Sequence, residues 1–411
     1  MPKREIIIEA FVVDPVKGSE AGMAWQYIVA LSARFTLHVV TQSYDGNDLR
    51  IAACLLQHPL PNVSFYFIPL AAVGWLHRFP INYALYNVWH MQSARFISRQ
   101  FKHSGIAIIH KLNTTGYRIP GFCYWLPYRF VWGPIDGFTN VDRRLLVFLN
   151  QKGRLAYYGY NFINTIERTL SPNVRLACSK SAGLLAATYD SYQYLKKRVK
   201  NKPIAYVLET GVSDSIISSE TPPKDPAVFQ IGWVGQCIHR KNLPFLLRAL
   251  AQLPSHMRYQ LQVVGDGPLL HDWQKLAIKL GIAPFIEWHG WVERAQALAI
   301  LARSSVFVQT SIREINSTVV FEAMANGVPV VCLKTSGMKD IISEDIGHLV
   351  AITDPQTMID DLQDTLLTYY QDPSLLAEKR ERIRVVAQTT YHLETQTHLI
   401  TEMYESCLQS C

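Results

Sequence analysis

Hydrophobic positions in this chain fall into short runs separated by polar turns and by longer amphipathic stretches. Short apolar runs bounded by Gly, Pro and Asn predict buried strands, and the amphipathic stretches between them predict helices. The alternation of the two is typical of doubly wound α/β folds. The predicted strands are 6–13, 36–41, 63–68, 106–110, 130–132, 174–179 and 205–208 in the first half, and 229–234, 261–264, 286–291, 306–308 and 328–333 in the second.

One Pro-rich polar segment, Thr221–Pro226, interrupts this alternation and is the best candidate for a linker. A chain of 411 residues is long enough for two domains. We therefore predict a first domain over residues 1–215 and a second over 226–387. Residues 354–411 are expected to be mostly helical.

The stretch Ser304–Val331 shows the pattern most clearly. A buried strand at Val306–Val308 leads into a polar loop, a helix is predicted over Val319–Asn326, and Gly327 fits the helix C-cap. The residues before the helix have N-cap chemistry; they are Asn316, Ser317 and Thr318. A helix N-terminus binds anions through its free backbone N–H groups and its dipole, so this one is a candidate phosphate site.

Two carboxylates in this stretch, Glu314 and Glu322, are eight residues apart. On one continuous helix they would be separated by about 12 Å along the axis and would not share a face. With Glu314 in the loop and Glu322 one turn into the helix, both can border the same crevice. Carboxylates beside an anion site suggest a ligand with phosphates and hydroxyls, such as a sugar nucleotide. The spacing alone leaves open that Glu314 is a solvated loop residue and Glu322 an incidental helix residue.

A pair of cations, Arg240 and Lys241, follows the strand 229–234 and precedes a predicted helix at Leu243–Leu253. Two adjacent cations before a helix can hold a pyrophosphate, although a solvated basic face is the alternative. Glycines at the ends of the strands, Gly235 and Gly265, mark tight turns at the same edge of the sheet.

The first half offers two further candidates. Gly18 lies in a turn between the first strand and a helix predicted at Met23–Ala33, where a phosphate or a sugar could approach the backbone. His110 ends the strand 106–110, at the edge of the sheet where open α/β folds bind ligands. An ordinary turn and a structural histidine are the respective alternatives.

Charge is distributed unevenly, with a net +14 over residues 1–202 and −7 over the remainder. Within the basic half, residues 69–105 interleave aromatic residues with cations and contain no acid. This composition suggests contact with an anionic membrane surface, and two core-packing helices with basic outer faces are the alternative. Nucleic-acid binding is not expected, because no recognition motif accompanies the charge.

Targeting and cysteine patterns indicate a cytoplasmic protein. The first residues run directly into a strand without an apolar leader, and no apolar run reaches the ~20 residues of a membrane span. The seven cysteines show no CxxC spacing, which argues against a disulfide framework and against structural zinc.

Five features of the second half occur in the order found in a known enzyme family. They are G-x5-K at Gly235–Lys241, V-G-D-G-P at 264–268, H-G-W-V at 289–292, the pair Glu314 and Glu322, and E-A-M-A-N-G-V-P-V-V at 322–331. Together they resemble the retaining glycosyltransferases of GT-B fold, numbered family 4, and most of all bacterial enzymes of surface-polysaccharide assembly. The first half resembles this family more loosely, through G-S-E-A-G at 18–22, His110 and W-G-P-I-D-G at 132–137.

The resemblance implies a fold and a division of labour between domains. The fold is α/β of GT-B type, in which two Rossmann-like domains with parallel sheets face a central cleft. The second domain would bind the nucleotide-sugar donor and the first the acceptor. A C-terminal helix, at about 388–411, would pack back on the first domain.

The resemblance also implies site residues. Lys241 resembles the cation on the donor diphosphate, and Arg240 would supply the charge that the family often places where this chain has Gln236. Glu314 resembles the residue that contacts the hydroxyls of the donor sugar. Gly133 occupies the region where some relatives carry a catalytic histidine, so His110 is the nearest candidate for that role. Glu322 resembles the residue that holds the ribose hydroxyls. The catalytic candidates are therefore Glu314, His110, Lys241 and Arg240. The donor-binding candidates are Gly18, Gly235, Arg240, Lys241, Gly265, Asn316, Ser317, Thr318 and Glu322.

The sequence therefore leads us to expect transfer of a sugar from a UDP- or GDP-sugar, with retention, to a lipid-linked or saccharide acceptor of cell-surface polysaccharide or lipopolysaccharide. No metal is expected, because cations take its place and no DxD motif is apparent in these loops. The protein would be cytoplasmic and peripheral on the inner face of the plasma membrane. A GT-B sugar-nucleotide epimerase and a non-catalytic sugar-nucleotide-binding scaffold at the membrane are the alternatives.

Overall fold

The computed structural model describes residues 3–70, 81–213, 216 and 228–409. The chain forms two compact units of α/β structure, and the linker candidate, Thr221–Pro226, lies outside the described residues. The first unit contains residues 1–139, 164–210 and 393–411, and the second contains 140–163 and 211–392.

The first unit is built on a parallel sheet, seven-stranded over the residues described. Its strands are β1 (Glu5–Glu9), β2 (Thr36–Ser43), β3 (Val63–Pro69), β4 (Ile108–Lys111), β5 (Arg129–Ile135), β6 (Gly183–Ala186) and β7 (Ile204–Tyr206), in the order β3-β2-β1-β4-β5-β6-β7. In the central register Ile8 pairs with both Val39 and His110. The order reverses at β1, so the crevice at the carboxyl ends of β1 and β4 is the expected ligand position in this unit.

Helices cover both faces of this sheet. They are α1 (Ser19–Ser32), α2 (Asn47–Gln57), α3 (Ile81–Gln100), α4 (Gln151–Leu170, which begins in the second unit), α5 (Pro172–Lys180), α6 (Tyr189–Arg198) and α13 (Leu393–Gln409). The last of these, α13, adds Ile400, Met403 and Tyr404 to a core that contains Ile6 and Val131. The C-terminal helix is therefore a structural part of the first unit.

The second unit repeats the architecture. Its strands are β8 (Phe229–Val234), β9 (Tyr259–Val264), β10 (Ile286–Gly290), β11 (Val306–Gln309), β12 (Val330–Leu333) and β13 (Gly347–Val350). They are parallel and lie in the order β10-β9-β8-β11-β12-β13. Its helices are α7 (Leu243–Leu250), α8 (Leu270–Lys279), α9 (Arg294–Arg303), α10 (Thr318–Ala325), α11 (Pro355–Gln371) and α12 (Pro373–Thr389). The order reverses at β8, which places the ligand crevice at the carboxyl ends of β8 and β11.

One segment does not follow the domain boundary expected from the sequence. The prediction placed residues 140–163 in the first domain, whereas they belong to the second unit. Leu145, Leu146 and Phe148 are buried in the core of that unit, and the Phe148 ring lies 5.0 Å from the ring of Phe245. This apolar segment is separated by some 80 residues from the rest of its core. Local periodicity therefore could not indicate in which unit the segment packs.

The strand predicted at Val174–Ser179 is wrong. Residues Pro172–Lys180 form helix α5, and the strand that completes this part of the sheet is β6. Pro172 is favourable in the first helical turn, and Val174, Ala177 and Cys178 are buried at helical spacing. The four apolar or small residues at 176–179 fit either period, and the proline was the cue that separated a helix from a strand.

The aromatic residues of the segment 69–105 face inward where they are described. Trp89 and Phe101 are buried on or next to α3, while Arg95, Arg99 and Lys102 are exposed. This corresponds to a core-packing helix with a basic outer face rather than to aromatic side chains at a membrane surface. Residues 71–80, which include Trp75 and Arg78, lie outside the described residues.

Candidate active site

Two glycine loops meet at the carboxyl ends of β8 and β9. The Gly235 N–H donates to the Val264 carbonyl at 2.9 Å. Gly265 has φ +130°, and a Cβ built on it would lie 2.0 Å from the Gly235 carbonyl oxygen. Glycine is therefore required at position 265, because the two loops pack backbone against backbone.

Arg240, Lys241 and Glu314 converge at this edge. The two cations lie in the 3-10 turn between β8 and α7, and Glu314 lies in the loop between β11 and α10. Nη1 of Arg240 donates to both carboxylate oxygens of Glu314, at 2.7 and 2.8 Å, and Nζ of Lys241 donates to Oε2 at 3.0 Å. The structure thus joins the cation pair and the first acid of the sequence pattern in one cluster.

The charge state of this cluster follows from its burial. The side chains of Lys241 and Glu314 are only 8% and 10% exposed. Burial opposes ionisation of Glu314, but the fields of Lys241 and Arg240 outweigh it and lower the pKa of the carboxyl. Two cations and one carboxylate leave a net positive charge in a poorly solvated place, which favours a bound anion.

Residues that carried no signal in the sequence hold the two loops together. The Thr310 hydroxyl donates to the Lys241 carbonyl at 2.5 Å and accepts from Nε1 of Trp233 at 2.9 Å. The Ile312 N–H donates to the Arg240 carbonyl at 2.9 Å. The backbone of the cation pair is therefore fixed by the chain that follows β11.

Gly337 supports the loop of Glu314 from the other side. A Cβ at this position would lie 1.6 Å from the Ile315 carbonyl oxygen, although its backbone angles are available to any residue. Any side chain there would push the loop away. Nothing in the local sequence indicates that this turn packs on the loop of Glu314.

The N-terminus of α10 lies directly after this loop. Ser317 occupies the N-cap position, but its hydroxyl accepts from Nε2 of Gln309 at 2.9 Å and makes no cap hydrogen bond. Asn316 and Ser317 are buried, and Thr318 is partly exposed. This helix start is left without a side-chain cap, which suits an anion-binding N-terminus.

Glu322, one turn into α10, is held by a different cation. Nε and Nη2 of Arg294 donate to its Oε1 at 3.1 and 2.8 Å. Burial raises the pKa of Glu322, and Arg294 opposes that effect. Both hydrogen bonds use the same carboxylate oxygen, so among the described contacts Oε2 is open to a hydroxyl donor.

In the first unit, Gly18 is exposed and immediately precedes α1. The turn that carries it packs on Gly22, where a Cβ would lie 2.1 Å from the Lys17 carbonyl oxygen. Gly22 is therefore the glycine that the fold of this turn requires. Gly18 offers an accessible backbone position beside a helix N-terminus.

His110 is placed differently from the catalytic expectation. It is fully buried, with Nδ1 2.5 Å from the Tyr404 hydroxyl and Nε2 2.7 Å from the Gly133 carbonyl. Burial lowers the pKa of His110 to about 4. Both ring nitrogens are occupied by groups of the same unit, so the geometry is that of a structural residue that ties β4 to α13.

This burial predicts a pH effect on stability. Between pH 6.5 and pH 4 the unfolded chain protonates this histidine and the native chain does not, so stability is lost as pH falls through that range. From about pH 7 to about pH 5, the wild type should lose about 2 kcal/mol more free energy of unfolding than His110→Gln. Urea unfolding of both proteins at the two pH values measures this difference, and equal acid sensitivity would contradict it.

A buried polar cluster near His110 had no counterpart in the sequence predictions. Glu9 and His90 are both fully buried, with Nδ1 of His90 3.0 Å from Oε1 of Glu9. Nζ of Lys111 donates to Oγ1 of Thr114 at 2.9 Å, and the Thr114 N–H donates to Oε1 of Glu20 at 2.5 Å. Glu9 and Lys111 are paired at the carboxyl ends of β1 and β4, the ligand-binding edge of this sheet.

The described geometry thus divides the sequence candidates between the units. Arg240, Lys241 and Glu314 form one cluster in the second unit, with Asn316, Ser317, Thr318 and Glu322 following on the same loop and helix. Gly18 and His110 belong to the first unit.

Comparison with protein families gives this cluster its context. Residues 214–388 match the family model described as "Glycosyl transferases group 1". The match covers less than half of the chain and includes the cluster of Arg240, Lys241 and Glu314. The resemblance drawn from the motifs of residues 235–331 is confirmed at this level.

Curated relatives are consistent with this family. The lipopolysaccharide core biosynthesis glycosyltransferase LpsE of Rhizobium meliloti (strain 1021) is 32% identical over 118 residues, which is 29% of this chain and 32% of that protein. The O-antigen chain mannosyltransferase B of Escherichia coli is 27% identical over 320 residues, 74% of each chain. The glycosyltransferase match spans about a third of the length of LpsE and about three quarters of the mannosyltransferase.

Solved structures extend the fold over the whole chain. The structure of Anabaena HepE in complex with UDP and glucose aligns with a TM-score of 0.64 at 16% identity, over 98% of this chain and all of that one. At this identity the likeness establishes the fold. The glycosyltransferase segment and the first unit together have the GT-B architecture of two parallel-sheet, Rossmann-like units.

Proposed function

We propose that the chain is a glycosyltransferase that moves a sugar from a nucleoside-diphosphate sugar to a saccharide acceptor in lipopolysaccharide or O-antigen assembly. The observation that carries this proposal is the buried cluster of Arg240, Lys241 and Glu314 beside the N-terminus of α10. Its excess positive charge suits a diphosphate. The UDP and glucose in HepE and the names of the two curated relatives support a nucleotide-sugar donor and a surface-saccharide product.

The chain's own residues account for the charge that develops during transfer. When the bond from the anomeric carbon to the diphosphate oxygen breaks, Arg240, Lys241 and the helix N–H groups stabilise the leaving diphosphate. Glu314 then binds hydroxyls of the donor sugar, and the open oxygen of Glu322 binds the ribose. In this proposal no metal is required, because the cations occupy the place of one.

We propose further that the reaction retains configuration at the anomeric carbon. The sugar passes through an oxocarbenium-like state, the acceptor hydroxyl bonds to the anomeric carbon, and its proton passes to an oxygen of the departing diphosphate. No protein nucleophile is needed in this scheme. The acceptor is expected to be lipid-linked, and the carboxyl ends of β1 and β4, near Glu9 and Lys111, are its expected binding edge.

Incubation with labelled UDP- and GDP-sugars, with and without a membrane extract, tests the activity. Label that moves into an acid-labile lipid or saccharide fraction supports transfer, and anomeric analysis of the product by NMR tests retention. A sugar isomer formed without acceptor would indicate an epimerase instead. Donor binding without turnover under all these conditions would indicate a binding scaffold and would contradict the proposal.

We propose peripheral association with an anionic membrane, through an exposed face of α4. On α4, Leu155, Tyr158 and Phe162 are exposed at the i, i+3 and i+7 positions of one face. The exposed cations Lys152 and Arg154 lie beside this row. An apolar row flanked by cations suits a surface of anionic lipid, and no helix among the described residues has the length and hydropathy to cross a bilayer.

The double substitution Leu155→Ser and Phe162→Ser should reduce binding to vesicles of phosphatidylcholine and phosphatidylglycerol about fivefold or more, because it removes most of the apolar area that enters the lipid interface. Co-sedimentation measures the bound fraction. Leu56→Ser, which removes an exposed leucine from α2, is the control. Unchanged vesicle binding of the double variant would exclude α4 as the contact surface.

A further inference from the structure

A second concentration of cations surrounds a cavity of about 480 Å³ in the first unit. The cavity lies between the ends of α4, α5 and α6. Its basic lining residues are Arg168, Arg175, Arg198, Lys200 and Lys202, and no carboxylate is among the lining residues. Five cations around one cavity without an acid are an unusual charge distribution, because basic surface residues are commonly interspersed with acids.

Neutral groups hold these cations in place. Nη1 of Arg168 donates to the Phe138 carbonyl at 2.8 Å, and Nζ of Lys202 donates to the Ser181 carbonyl at 2.6 Å. The guanidinium of Arg198 lies 4.2 Å from the ring centre of Tyr194. These contacts orient the cations but do not neutralise them, and most of the guanidinium N–H donors stay open.

The cavity has an apolar floor. Phe138 and Leu195 are each 1% exposed, and Val174 and Cys178 are also buried. The rings of Phe138 and Tyr194 are stacked with centroids 4.4 Å apart. A hydrophobic floor under a rim of cations fits a ligand with an anionic group and an apolar or aromatic body, and the volume is in the range of ligand sites.

This cavity is separate from the edge where the reaction is proposed. Helix α5 ends at Lys180 before β6, and α6 ends at Arg198 before β7, so the cavity lies at the amino ends of these strands. Glu9 and Lys111 lie at the carboxyl ends of their strands, on the opposite edge of the same sheet.

Cations also stabilise helix C-termini, where three helices end here, and this accounts for part of the pattern. The bonds of Arg168 and Lys202 to carbonyl groups fit that role. Arg175 also donates to a carbonyl at the end of α4, that of Thr169. Arg198 lies in the last turn of α6 but contacts the ring of Tyr194, and Arg175, Arg198 and Lys200 are all exposed on the rim. A purely structural role therefore predicts that the rim cations contribute to stability, and a ligand site predicts that they contribute to binding.

We propose that this cavity binds a phosphorylated ligand, with the phosphate or diphosphate on Arg175, Arg198 and Lys200 and its apolar or aromatic part on Phe138 and Tyr194. The shared chemistry is a phosphate group on an apolar body. Its source is either a lipid headgroup or a soluble phosphate ester, and the experiment separates the two.

The cavity variant carries both Arg175→Gln and Arg198→Gln. The control variant carries both Arg95→Gln and Arg99→Gln, and so lacks two exposed cations of α3 in the same unit. Inorganic pyrophosphate is titrated by calorimetry into each protein. Loss of two charge-assisted contacts should weaken pyrophosphate binding about tenfold or more in the cavity variant and less than twofold in the control. Both double variants also carry Lys241→Ala, which weakens pyrophosphate binding at the proposed donor site, so that the titration reports binding at the cavity and is independent of sugar transfer.

Vesicles of phosphatidylcholine containing phosphatidic acid form the second arm. Weakened vesicle binding in the cavity variant identifies a lipid headgroup as the ligand source, and weakened binding of pyrophosphate alone identifies a soluble phosphate ester. Equal binding of both probes by the cavity variant and the control would overturn the proposal. A cavity variant whose melting temperature falls well below the control, with both probes still bound, would assign these cations a structural role only.

Discussion

We expect Glu314→Ala to lower kcat for sugar transfer by at least a hundredfold, with a smaller change in donor KM. In the structure this carboxylate receives three hydrogen bonds from Arg240 and Lys241, and in the proposed reaction it also holds the donor sugar. Its loss removes both the sugar contact and the group that orients the two cations toward the leaving diphosphate. Steady-state kinetics measures the effect, with the donor that the incubation with labelled UDP- and GDP-sugars identifies.

Stability is measured on the same protein, because the substitution leaves the buried amine of Lys241 without its carboxylate. Glu314→Gln keeps the size and the hydrogen-bonding oxygen, so it separates orientation from charge. Glu287→Ala, an exposed carboxylate of the same unit, is the matched control. Near-normal turnover by a folded Glu314→Ala protein would remove Glu314 from the mechanism.

Glu322→Ala should instead raise donor KM about fiftyfold and change kcat only a few fold. The open oxygen of this carboxylate is proposed to hold ribose hydroxyls, which are distant from the breaking bond and bind equally in ground and transition states. Each charge-assisted hydrogen bond of this kind contributes about 1.5–3 kcal/mol. Titration of UDP or GDP by calorimetry measures the same loss of nucleotide affinity without turnover.

Arg294→Ala provides the comparison for this second prediction. Arg294 holds Oε1 of Glu322 and is not proposed to touch the donor. Its removal should therefore weaken nucleotide binding less than Glu322→Ala does. If Glu322→Ala lowers kcat at unchanged KM, the division of roles between Glu314 and Glu322 is incorrect.

The region around Ser304–Val331 was predictable because local signals agree there. An apolar run, a polar loop and a terminal glycine all indicate the same boundaries, and the helix is observed at Thr318–Ala325 with Gly327 at φ +64°. The residues Arg240, Lys241 and Glu314 could be picked out from the sequence for the same reason, since each lies in a loop that follows a clear strand.

The sites that escaped prediction depend on contacts between distant segments. Glu9 ends an apolar run and resembles a strand terminus, and only the pairing of β1 with β4 sets it beside Lys111. His110 was correctly placed at a strand end, but its partner Tyr404 is 294 residues away. Whether a polar residue at a strand end faces a ligand or a helix is decided by packing that periodicity does not record.

The two misassigned segments have different causes, one local and one tertiary. Residues 174–179 have an apolar run that suits a strand, yet Pro172 starts a helix there. Residues 140–163 have no composition that distinguishes them from their neighbours, and they join the second unit through buried contacts such as Phe148 with Phe245. In the second case the deciding contacts lie outside the window in which a local pattern can be recognised.

The division of the chain between the units sets the order in which they can be completed during synthesis. The second unit needs residues 140–163, which the ribosome makes early, and it is complete once residue 392 has emerged. The first unit starts at the N-terminus but lacks Ile400, Met403 and Tyr404 of its core until α13 follows. The N-terminal unit therefore matures last, which reverses the usual vectorial order of domain folding on the ribosome.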